Sequence, residues 1–121
     1  MNILMTIMTM LVMSVSTSEM ETLAIAYPMI DNAECIYYTD TVVVALKTEP
    51  IFFRSDRIKL VNELTEDIRS KYNVREILIS FDKDVYYKIT KIDAKRQKGV
   101  SEDELRPDII SLIDTVRYRE R

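Results

Sequence analysis

The sequence has no histidine and no tryptophan, and only one cysteine, one glycine and three prolines in 121 residues. Each scarcity removes a class of chemistry. Without histidine the chain lacks the commonest general base and metal ligand near neutral pH. A single cysteine permits no internal disulfide and no zinc site built on several thiolates. A single glycine cannot furnish a phosphate-cradling, glycine-rich loop. A basic excess is missing too: the net charge is −3 and the pI about 5.0. A general nucleic-acid binder needs a basic face to displace counterions, so no nucleic-acid partner is expected.

What remains is the composition of a folded domain, 47% hydrophobic and 31% charged. The length fits one domain. All seven methionines fall in the first 29 positions, and no charged residue precedes Glu19. We therefore divide the chain into an apolar leader over 1–18 and a single α+β domain over 19–121. Ser14-Val15-Ser16 is a run of small residues of the signal-peptidase kind. The apolar run is shorter than the ~20 residues of a full membrane span. The leader is read as a signal peptide or short membrane anchor, although it lacks a basic start. An amphipathic first helix or a truncated longer leader are the alternatives.

From Glu19 to Asp31, Leu23, Ala26, Tyr27 and Ile30 have the spacing of one helical face, with Pro28 against a regular helix and Asn32 as a turn. Cys35 to Tyr38 and Val42 to Leu46 flank Thr39-Asp40-Thr41 and read as a β-hairpin of undetermined turn type. Val42, Val44 and Leu46 share one face, Val43 and Ala45 the other, the pattern of a central or covered strand. Ile51-Phe52-Phe53 reads as a loop segment capping the core. Ser55 or Asp56 is placed as the cap of a helix whose apolar stripe is Val61, Leu64, Ile68 and Tyr72. Asn73 suits its C-terminal positive-φ position. Arg75 to Phe81 alternates as a strand, with Ile77, Ile79 and Phe81 on one side. Asp82 is placed as the cap of a helix carrying Val85, Tyr86, Ile89 and Ile92. Lys91, Lys95, Arg96 and Lys98 near its end suit the negative pole of the helix dipole, with contact to an anionic lipid or polymer as the alternative reading of the cluster. Gly99 is placed as its stop. Ser101 to Glu104 matches a capping box, and Pro107 is expected to kink or restart the last helix. Its face is Ile109, Ile110, Leu112, Ile113 and Val116, and Arg117 to Arg121 reads as a frayed tail. The predicted architecture is a two-layer α-β-β-α-β-α domain, a three-stranded sheet with helices on one face.

Few residues invite chemistry. The carboxylate pairs Asp82/Asp84 and Glu102/Asp103 lie at helix starts, where the dipole alone accounts for them. Cys35 has no histidine to activate it and reads as a buried small apolar group. The residues before it form no lipobox. Tyr37-Tyr38 and Tyr86-Tyr87 are adjacent pairs, read as pointing apart rather than as one stacking platform. No catalytic, cofactor-binding or metal-binding residues are assigned, and no enzyme activity or cofactor is expected.

The hairpin with Val42-Val43-Val44-Ala45-Leu46, the following helix, and the passage Ile77-Leu78-Ile79-Ser80-Phe81-Asp82-Lys83-Asp84 come in an order that resembles the YhcN/YlaJ-type sporulation lipoprotein family of spore-forming bacteria. The likeness spans roughly residues 20–118. A basic leader, a lipobox cysteine and a glycine before the first strand are absent, so lipid attachment is not carried over. The resemblance implies a non-enzymatic protein of the forespore or spore envelope, exported or membrane-associated, contributing to sporulation, germination or outgrowth. Its partner would be a protein or envelope component, with residues 1–18 as a route to the membrane. The alternative is a soluble cytosolic oligomerisation or regulatory module. In that reading the N-terminal apolar segment lies in a core or dimer interface, and a second copy of the chain is the partner.

Overall fold

A computed structural model describes residues 16–49 and 54–119. The elements run α1 (Thr17–Ile25), β1 (Ile30–Tyr38), β2 (Thr41–Thr48), α2 (Arg54–Lys71), β3 (Glu76–Ser80), α3 (Lys83–Gln97) and α4 (Glu102–Arg119). The fold is α+β around a mixed sheet of order β1-β2-β3. β1 and β2 are antiparallel, and β2 and β3 are parallel with α2 as the crossover. Thr39 and Asp40 both have positive φ, 47° and 63°, the pattern of a two-residue type I′ turn without its usual glycine. The Asp40 carbonyl then accepts from the backbone N–H groups of Arg75 and Glu76, which pins the start of β3 beside the hairpin.

The layering differs from the expected one. Helices cover both faces of the sheet, giving three layers instead of two. On one face Val42, Val44, Leu46, Cys35 and Ile79 pack with Met20 and Ala24 of α1 and Leu60, Leu64 and Ile68 of α2. On the other, Ile36, Val43 and Ala45 pack with Val85, Ile89 and Ile92 of α3 and Leu105, Ile109 and Leu112 of α4. The reason is visible in β2. Thr41 to Leu46 is buried at every position, and a strand apolar on both sides needs cover on both. The order also ends in two helices where the predicted string has one, since the segments after Asp82 and Ser101 form separate helices.

Several local readings shift. α1 stops at Ile25 and β1 begins at Ile30, so Ile30 belongs to a strand and Pro28 to the turn before it. Asn32 sits in β1 beside a register shift between Ile30 and Asn32. α2 already includes Arg54, so Ser55 and Asp56 lie within its first turn rather than capping it. Asn73 does not adopt positive φ. Gly99 does, at 93°. Val100 N–H bonds to the Lys95 carbonyl and Gly99 N–H to that of Arg96, a Schellman stop. α4 runs through Pro107 without interruption. Arg117 is no frayed tail: it is tied to Glu76, and Arg119 to Asp82. Residues 1–15 of the leader, the Ile51–Phe53 segment and residues 120–121 lie outside the described residues. Of the leader's last three residues, Ser16 Oγ accepts from Glu19 N–H at 3.2 Å, and Thr17 and Ser18 open α1.

Candidate functional site

The Ser80–Asp84 passage lies where β3 hands over to α3. Ser80, 1% exposed, accepts the Asp82 N–H on its Oγ at 3.1 Å. Asp82 occupies the N-cap of α3, yet its side chain makes no capping hydrogen bond. Its carboxylate instead accepts from Arg119 at 3.0 Å. Two residues back on α4, Arg117 grips Glu76 with two hydrogen bonds of 3.0 and 2.6 Å. Glu76 also accepts from Thr41 Oγ1 at 3.0 Å. These bonds to the charged form hold Glu76 below the usual carboxylate range, the Arg117 bonds most of all. The end of α4 is thus clipped to both ends of β3. Glu102 is spent likewise, accepting twice from Arg96, and Asp103 pairs with Arg106.

A second constellation brings together carboxylates that the sequence keeps far apart. Glu21 on α1, Glu34 on β1 and Asp93 on α3 each place a carboxylate oxygen within 4.8 Å of the others. They line an open cleft of about 500 Å³ with Thr17, Ser18 and Thr90. Glu21 Oε2 accepts the Cys35 N–H at 2.9 Å, satisfying a main-chain donor of the edge strand β1. Burial raises Glu34 to about 7, helped by the charges of Glu21 and Asp93 and by a hydrogen bond with Glu21, and opposed by Lys47. Burial also raises Asp93, against the pull of Arg96. The three oxygens have the chemistry to hold a hard divalent cation. They equally have the arrangement of acids that share protons, since like charges so close disfavour full ionisation.

The remaining sequence candidates serve packing. Cys35 is buried, and burial together with the nearby carboxylates pushes its thiol well up, away from the nucleophilic thiolate. Tyr37 and Tyr38 go to opposite faces of the sheet. Tyr86 and Tyr87 do not simply diverge. Their rings meet edge-on with centroids 5.8 Å apart, and Lys47 Nζ lies 4.5 Å from one centroid and 5.2 Å from the other. The strand rule of opposite faces does not govern these two, because they lie on a helix, where neighbours are about 100° apart. The carboxylate cluster left almost no trace in the sequence. Its one signal is Glu34 itself, a charge between the buried Ala33 and Cys35.

No family model matches the chain, and no curated protein matches it.

Proposed function

We propose that the chain is a non-enzymatic protein of the forespore or spore envelope that acts through contacts with a protein or envelope component. One observation carries the reading. The residues behind its resemblance to the YhcN/YlaJ-type family do structural work. Val42–Leu46 is the doubly covered centre of the sheet. Ser80 and Asp82 are occupied by a backbone N–H and by Arg119. A passage so engaged builds a scaffold, and a scaffold acts through its surface. Among the described residues no helix is long and apolar enough to cross a membrane.

The test is the intact mass and fractionation of the native protein from sporulating cells of its source. A mass lacking about 16 residues, with the protein in forespore membrane or spore layers, is the expected result. A full-length mass confined to the cytosol sinks the reading and leaves the oligomerisation module in its place.

A further inference from the structure

We propose that α1 is a detachable cover on the edge of β1, held by a proton-operated clasp that opens as the carboxyls of Glu21, Glu34 and Asp93 ionise. The geometry is that of a joint between three elements. Glu21 stands on α1, Glu34 on β1 and Asp93 on α3, with their oxygens within 4.8 Å of one another. β1 is an edge strand, and Glu21 is what satisfies its Cys35 N–H, at 2.9 Å. On the buried side of α1, Met20 and Ala24 share one core cluster with Cys35, itself only 2% exposed. A nine-residue helix is too short to persist alone in water. Its place depends on these contacts and on two tyrosines. Tyr72 of α2 donates to Glu19 at 2.9 Å, and Tyr27, just past the helix, donates to Asp67.

Around Glu34, α1 contributes Glu21, α3 contributes Asp93 and Tyr86, and β2 contributes Lys47. Arg96 of α3 faces Asp93 at 3.4 Å, but Glu102 of α4 takes two of its hydrogen bonds. Lys47 Nζ is engaged over the rings of Tyr86 and Tyr87. Neither cation is free to neutralise three charges, so full ionisation drives α1 from β1 and α3. Closed, the cluster keeps a proton on Glu34 up to about 7, through burial first and then the charges of Glu21 and Asp93. With α1 lifted, Glu34 meets water without Glu21 and returns toward its ordinary 4.5. The closed form binds more protons across that window. Rising pH therefore favours the open form, by up to about tenfold per pH unit, and the effect levels off above the window. What opens is an unpaired strand edge, the part of a sheet able to pair with another chain. The inference is independent of the spore-envelope reading.

Cys35, the only cysteine, reports the opening. The experiment is its labelling by 4,4′-dithiodipyridine in the full-length chain, with EDTA present so that no divalent cation replaces the proton. Dividing each rate by that of a peptide spanning residues 31–39 at the same pH removes the thiol's own titration. The ratio is expected to rise by roughly ten- to a hundredfold from about pH 5 to pH 7 and then level off. Glu34→Gln, an uncharged stand-in for the protonated acid, is expected to hold the ratio low and flat. Asp93→Asn, which leaves β1 untouched, gives an intermediate rise and serves if the first variant folds poorly by circular dichroism. Dilute urea separates lifting of α1 from unfolding of the whole chain, since local opening exposes little surface and its rate scarcely responds. A flat ratio in the wild type overturns the proposal. So does an undiminished rise in both variants, or labelling that climbs with urea as steeply as global unfolding.

Discussion

Glu34 sits in a strand between two buried neighbours, Ala33 and Cys35, and its response to pH follows from that position. In the unfolded chain it titrates near 4.5, and in the fold near 7. Below the lower value both states hold the proton. Between the two, the folded protein binds a proton that the unfolded chain has released, so stability falls as pH rises across that window. Asp93, also raised by burial, acts in the same direction. Replacing Glu34 with glutamine keeps the shape and a hydrogen-bonding group but removes the titration. Above pH ~7 the variant is expected to be more stable by about 1–2 kcal/mol, a figure discounted for the solvent that reaches a half-buried group. Urea melts of both proteins across the window check this. Parallel stability–pH curves for wild type and Glu34→Gln sink the assignment. No spacing rule reveals this cluster in advance. Its members belong to three elements, and the sequence shows only a charge set between Ala33 and Cys35.

At the scale of elements, the legible parts were those fixed by local physics. Period-two alternation placed Val42, Val44 and Leu46 together and Val43 and Ala45 opposite, as the two faces of the sheet show. Val85, Tyr86, Ile89 and Ile92 are the buried stripe of α3. Gly99 is the plainest case, since its φ of 93° is one that side chains resist. No heavy atom lies within 4 Å of where a Cβ would stand. Gly99→Ala is therefore expected to cost about 1–2 kcal/mol through backbone strain and not through a clash. A larger loss in thermal melts would point to a contact that the geometry does not contain. The illegible parts were decided by long-range partners. Asp82 has the residue type and position of a cap, but Arg119, 37 residues on, takes its carboxylate. The tail reads as frayed because its anchors, Glu76 and Asp82, lie in a distant segment.

At the scale of the whole molecule, the two cores are joined chiefly through β2 of the sheet, and at one edge α1 and α3 also meet at Glu21 and Asp93. Val42 and Val44 face one cluster and Val43 and Ala45 the other, all at 0% exposure. Neither helix pair is covered without that strand, and the strand loses its burial if either pair leaves. The α2 crossover makes β2 and β3 parallel, so β3 also depends on a helix from one face and, through Glu76 and Arg117, on a helix from the other. The molecule is therefore expected to unfold as one cooperative unit. The discriminating variant is Leu64→Ala on α2, fully buried in the first cluster. Its cavity should cost about 2–5 kcal/mol. In a single unit, native-state amide exchange then loses the same protection at Ile109 and Leu112 on α4, across the sheet, as at Ile68 on α2. Protection unchanged on α4 but lost on α2 would instead divide the domain along β2 into two separately opening halves. In that case α3 would stay folded while α1 and α2 come away from the other side.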